Sequence, residues 1–328
     1  MTDWDKVRLH VVTGKGGTGK TTVAAAMALA LASRGKHVLL CEVENRQGIA
    51  QLFDVPPLPY EERRIAQGPD NGGDVYALAI DAESAMLEYL ALFYRLGGRA
   101  GKALDRFGVI DFATTIAPGL RDVILTGKVY EAVERNRRNK DARVYDAVVL
   151  DAPPTGRISQ FLNVNNEFGE LAKVGPVKGQ ADNVMKLLRS PRTAVHLVTV
   201  LEDMPVQETI DGISELKGAG LPVGSVIVNL VRPKTLDDTA RAQALKGELP
   251  RKEIAADLKK AGVTVTDELL DGLLAEAHDH AERRALEDEQ RARIATIDNQ
   301  VCELTRLADG MDLGGLYELA LDLRDQGF

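Results

Sequence analysis

Two lysines, Lys15 and Lys20, sit inside the run Thr13-Gly14-Lys15-Gly16-Gly17-Thr18-Gly19-Lys20-Thr21-Thr22. Gly14, Gly16, Gly17 and Gly19 let the backbone curl so that successive N–H groups, through Thr18 and on to Thr22, point inward at phosphate oxygens. Lys20 is spaced to reach the β- and γ-phosphates of a nucleotide, and Thr21 offers a hydroxyl to Mg2+, which prefers oxygen ligands. A second acid-bearing run is Tyr145-Asp146-Ala147-Val148-Val149-Leu150-Asp151, followed by Ala152-Pro153-Pro154-Thr155-Gly156-Arg157. There Asp151 would hold Mg2+ through its water shell, and the loop containing Pro154 would sense the γ-phosphate. Arg157 either adds a fixed charge near the phosphates or faces solvent.

These residues need a scaffold that brings them to one edge. The apolar run Val7 to Val12 reads as a buried strand, and Thr22 to Arg34, closed by Gly35, reads as a helix. The glycines therefore occupy a strand-to-helix turn, where the helix N-terminus also favours an anion. Further strands are expected at His37 to Glu44, Tyr145 to Leu150, Thr193 to Val200 and Ser225 to Asn229. Strands alternating with helical stretches predict an α/β fold, a doubly wound and mainly parallel sheet with helices on both faces, which binds ligands beyond the strand C-termini. Residues 1–81, 144–234 and 297–328 are expected to form this core. Two long helical stretches, 82–143 and 235–296, interrupt it.

The extra lysine, Lys15, departs from an ordinary phosphate loop, and this pattern resembles the deviant phosphate-loop ATPases: the ParA and MinD positioning proteins, the ArsA arsenite-pump ATPases and the Get-type targeting factors. The resemblance implies a nucleotide-sandwich dimer in which Lys15 crosses to the partner's nucleotide as a catalytic clamp. Glu44, in Cys41-Glu42-Val43-Glu44-Asn45, stands where ArsA-like proteins carry an aspartate, and is read as the water activator or as a surface acid. Asp151 to Arg157 resembles the Asp-Thr-Ala-Pro-Thr-Gly-His switch of the ArsA branch, with Ala152 and Arg157 as departures. Val198 to Thr209 is similar to a strand, loop and helix in which a Glu-Thr pair, here Glu208-Thr209, opens the helix. Val226-Ile227-Val228-Asn229 resembles a strand ending in an adenine-reading asparagine, since an amide both donates and accepts; otherwise Asn229 is a strand-exit cap. Leu304 to Leu307 stands where relatives place an adenine loop, and Ala117-Pro118-Gly119 resembles a helix start. Glu44 to Asp54 looks most like an actinobacterial ArsA-like group of anion-transporter ATPases, whose members work in places as paired paralogues.

Composition narrows the classes. With 45% hydrophobic residues in 328, the chain is ample for one α/β core. A net charge of −8 excludes broad phosphate-backbone binding, so no nucleic-acid partner is expected. No apolar run approaches a membrane span, the N-terminus carries no secretion signal, and the amphipathic stretch Leu316 to Asp325 is acidic; direct membrane insertion is not expected and the location reads as cytoplasmic. The two cysteines, Cys41 and Cys302, build neither a Cys-x-x-Cys zinc site nor the cysteine trio of arsenite pumps, and Cys41 reads as a buried apolar residue. His278 and His280 lie at helical positions that point apart and read as a solvated face.

The cofactors expected are therefore ATP and Mg2+. A single phosphate loop requires the second half-site from another chain, as a homodimer or as a heterodimer with a paralogous ATPase subunit. By resemblance the helical insertions face a hydrophobic client or a peripheral membrane-protein partner. The segment Ala85 to Leu96 in the first insertion is either client groove or packed core. Alternatives from other classes are a scarcely hydrolysing regulatory subunit and a targeting factor for tail-anchored membrane proteins.

Overall fold

The computed structural model describes residues 4–43, 46–94, 118–135, 142–171, 176–308 and 310–328. Glu44 and Asn45 lie outside the described residues, as does the whole of 95–117, between the first two helices of the 82–143 segment, including Leu96 and Ala117.

Branched and apolar runs become strands with both faces covered. β1 (Leu9–Gly14), β2 (Val38–Glu42), β5 (Ala147–Asp151) and β6 (Thr193–Thr199) are buried at every position, as continuous apolar runs in a parallel sheet require. With β3 (Arg63–Gln67), β4 (Asp74–Ala79), β7 (Val223–Val231) and β8 (Val301–Thr305) they form one eight-stranded sheet in the order β3-β4-β2-β5-β1-β6-β7-β8. Every neighbouring pair is parallel except β3 with β4. The expected α/β phosphate-loop architecture is therefore present. The first strand, β1, lies inside the sheet between β5 and β6, with β2 to β5 on one side of it and β6 to β8 on the other, and such folds bind ligands beyond the C-terminal ends of their central strands.

Helices pack on both faces. One face carries α1 (Lys20–Ser33), α2 (Gly48–Leu52) and α11 (Leu313–Asp325). Its core joins the apolar run Val23 to Ala32 of α1 to Leu316, Leu319, Ala320 and Leu323 of α11, so the acidic amphipathic C-terminal helix packs on the core. The other face carries α3 (Ala82–Tyr94), α4 (Pro118–Glu134), α5 (Thr155–Leu171), α6 (Pro176–Leu188) and α7 (Asp203–Gly218). Ala85 and Met86 of α3 are buried in that core, which favours packing over groove for this part of the segment; the side chains from Tyr89 onward lie outside the described ones. Between β7 and β8 come α8 (Asp238–Lys246), α9 (Arg251–Lys260) and α10 (Asp267–Ile294). Asp237, Thr266 and Asp312 start α8, α10 and α11 by accepting a backbone N–H three residues on.

The sequence reading placed five of the eight strands. β3 is a partly exposed edge strand of Arg63-Arg64-Ile65-Ala66-Gln67, with no apolar run to mark it. β8 includes Leu304 and Thr305, so any loop there begins only at Arg306. Helix α7 opens at Asp203, not at Glu208-Thr209: Pro205 is tolerated in a first turn, where its missing N–H has no intrahelical partner. Glu208 therefore projects from the second turn.

Candidate active site

Gly14 ends β1 and Lys20 begins α1, so residues 15–19 form the turn between them. Gly14 before it and Gly19 at its end are required by close approach. A Cβ on Gly14 would lie 2.2 Å from the Val198 carbonyl oxygen of β6. Gly19 has φ +85°, and a Cβ there would meet the Asn229 amide nitrogen at 2.3 Å. The turn is also tied from within. Thr18, itself buried, donates its hydroxyl to the Lys15 carbonyl at 2.9 Å and its backbone N–H to the same oxygen at 3.3 Å. Gly16 and Gly17 lie exposed at its crest, and Thr22 follows in the first turn of α1.

Lys20 and Asp151 are each only 9% exposed, an expensive state for charged groups outside a functional or paired setting. Asp151 ends β5, the strand beside β1, and its carboxylate accepts the Thr21 hydroxyl at 2.7 Å. Two residues placed 130 positions apart thus present a hydroxyl and a carboxylate at one point. Oxygen-only donors of this kind suit a hard divalent cation such as Mg2+. Pro154 lies in the following loop, just before α5. The preceding Pro153 carbonyl accepts the Thr13 hydroxyl at 2.7 Å, locking this loop to the base of the phosphate loop.

Asn229, on β7 and buried, donates its amide to the Thr18 carbonyl at 2.9 Å. It therefore abuts the phosphate loop, with Oδ1 as its acceptor. Lys15 forms an ion pair with Glu208 of its own chain, Nζ to Oε1 2.8 Å, both side chains about one-third exposed. Arg157 turns toward α4, where its Nη2 stands 3.7 Å from the Asp122 carboxylate.

Glu42 is a contributor that the sequence reading passed over in favour of Glu44. It is 2% exposed, lies in register with Asp151 on the neighbouring strand, and accepts the backbone N–H groups of Gly48 and Ile49 at 3.3 and 3.4 Å. It thereby caps the N-terminus of α2, whose first residue, Gly48, packs against the Thr21 methyl. Its place as the acid that closes the apolar run of β2 was the available signal. Cys41 is buried, with its thiol pushed up by burial, as expected of an apolar packing residue. His278 and His280 bind the Ala244 carbonyl and the Thr235 hydroxyl respectively, and no metal-ligand cluster occurs among the described residues.

The anion-transporting ATPase (ArsA) family model matches residues 7–191, which holds β1 to β5, the phosphate loop and the Asp151 loop. The chain is 55% identical to ATPase BagA of Mycobacterium tuberculosis over 321 residues, covering 98% of this chain and 94% of that protein. It is also 28% identical to the arsenical pump-driving ATPase of Escherichia coli over 244 residues, 68% of this chain and 39% of that protein. With a site that joins a glycine-rich phosphate cradle to a hydroxyl and a carboxylate, and with these similarities, the chain belongs to the ArsA family of anion-transporting ATPases and is an ATP-hydrolysing enzyme of that family.

Proposed function

We propose that this chain hydrolyses Mg·ATP as a nucleotide-sandwich dimer, with itself or with a paralogous subunit, in the cytoplasm. In this reading the nucleotide cycle moves the helical segments 82–143 and 235–296 against a hydrophobic client or a membrane-protein partner. The observation that carries the hydrolytic part is the 2.7 Å contact between Thr21 and Asp151 directly after Lys20. Thr21 and Asp151 would hold the Mg2+, which when bound neutralises charge on the β- and γ-phosphates. The loop amides orient the phosphate chain, Lys20 supplies a fixed positive charge to it, and Pro154 places the sensing loop beside it. Glu44 is assigned the water-activating role from its place in the sequence alone. The net charge of −8 supports a partner other than nucleic acid, and no helix among the described residues is long and apolar enough to cross a membrane.

A chain by itself holds Lys15 against Glu208, which supports slow turnover until a partner offers its nucleotide. Steady-state ATP hydrolysis measured across protein concentrations tests this. The specific rate is expected to rise with concentration, to fall at least a hundredfold in Lys20→Ala, and to lose its concentration dependence in Lys15→Ala. Lys20→Ala hydrolysing like the parent would sink the assignment. A flat, negligible rate in the parent that a paralogous chain restores would give the heterodimer.

A further inference from the structure

A cavity of about 190 Å³ lies between the loops that follow β2 and β5 and the first turn of α4. Its lining contains three guanidinium groups, Arg46, Arg121 and Arg157, and one carboxylate, Asp122. The remaining wall is largely apolar, with Val43, Leu125 and Phe161 all buried. Arg121 and Arg157, both also exposed to solvent, against Asp122 leave an excess of positive charge at the space. Asp122 offsets part of it. The side chain is 11% exposed, yet the Arg157 guanidinium stands 3.7 Å away, beyond hydrogen-bond distance, and burial pushes the Asp122 carboxyl up.

Size limits the occupant. The volume equals about six waters at roughly 30 Å³ each, below the ~300–1,000 Å³ of pockets for nucleotide-sized or drug-sized ligands. A small oxyanion fits, and guanidinium groups are the side chains best shaped to bind one bidentately. Position links the cavity to the nucleotide site: its wall includes Pro153, whose carbonyl holds Thr13 at the foot of the phosphate loop. The three arginines come from three separate segments, the loop after β2, the start of α5 and the start of α4. An anion held by them would bridge both loops at the strand ends to α4.

We propose that this cavity is a second anion site, separate from the phosphate loop, which takes a small tetrahedral oxyanion, and that during turnover the occupant is the orthophosphate cleaved from ATP. The second half rests on the hydrolytic reading above; the first half does not.

Binding of radiolabelled orthophosphate by equilibrium dialysis, with the full chain saturated by Mg·ADP so that the phosphate loop is filled, tests the site. Arg121→Gln and Arg157→Gln are expected to weaken phosphate binding at least tenfold with ADP affinity unchanged, and Asp122→Asn to tighten it several-fold. General loosening does not produce effects of opposite sign. Absence of saturable phosphate binding to the ADP-loaded parent, or unchanged affinity in either arginine variant, overturns the site. Single-turnover cleavage, followed by acid quench, is then compared with phosphate release, followed by a fluorescent phosphate sensor. The parent is expected to release phosphate after a lag that Arg121→Gln shortens. Weakened dialysis binding with an unaltered lag overturns the product as occupant and makes the site one fed from solution. A chain that cleaves no ATP at all defeats the hydrolytic reading, while the dialysis result stands on its own.

Discussion

At the scale of single residues, Lys15 and Glu208 carry the sharpest expectation. Their 2.8 Å pair is one-third exposed, and such pairs contribute only about 0–1 kcal/mol, so the bond is weak enough to be exchanged in the dimer proposed above. Glu208→Gln is therefore expected to free Lys15 and to lower the protein concentration at half-maximal specific ATPase activity by up to about fivefold, about 1 kcal/mol. A rise in that concentration would instead make Glu208 a contact within the dimer. Lys15 was legible from its place in the glycine run. Its partner was not, because Glu208 reaches it only through the packing of α7 beside the phosphate loop.

Among the elements, β7 and the turn between β1 and α1 depend on one amide. Asn229 fills the space left by Gly19 and satisfies the Thr18 carbonyl. Truncating it leaves a buried acceptor unpaired, at a cost of about 1–3 kcal/mol. Asn229→Ala is expected to weaken ATP binding about tenfold and, by removing the Oδ1 acceptor, to erase preference for ATP over GTP in competition titrations. An equal loss for both nucleotides would leave Asn229 as a loop brace alone. Asn229 was readable as the polar residue after an apolar run, although β7 continues past it to Val231, and β1, β2, β5, β6 and β7 were readable because each buried parallel strand is a largely apolar run. β3 was unreadable for the opposite reason: an exposed antiparallel edge needs no apolar pattern, and Arg63 and Arg64 meet solvent there.

For the whole molecule, the two buried histidines predict how stability varies with pH. His10 of β1 and His196 of β6 are fully buried, with Nδ1 of the first 3.1 Å from Nε2 of the second. The Ser225 N–H donates to His196 Nδ1, so Nε2 carries the His196 proton and donates to His10. Burial lowers the His196 pKa to about 3, and burial with the neighbouring His196 and Lys36 charges lowers that of His10. Both are thus neutral in the folded protein. Between pH 6.5 and about 3 the unfolded chain binds protons that the folded chain refuses, so stability falls as pH falls through that window and is fully present above it. The slope approaches about 1.4 kcal/mol per pH unit for each histidine. Urea midpoints at pH 7.5 and 5 are expected to show this decline, with a shallower one in His196→Asn. A pH-independent difference between parent and variant would remove the pair from the acid response.

The sequence alone determined the chemistry of the phosphate cradle and the class of fold, because glycine spacing, strand hydrophobicity and an acid at a strand end are local properties of neighbouring residues. It assigned Lys20, Thr21 and Asp151 to one site before the contact between Thr21 and Asp151 was known. Only the tertiary structure decided that Thr21 meets Asp151, that Asn229 braces Thr18, that Glu42 caps α2 and that Lys15 rests on Glu208. Each of those contacts depends on strand order and register across the sheet, and both are set by packing between segments far apart in the chain.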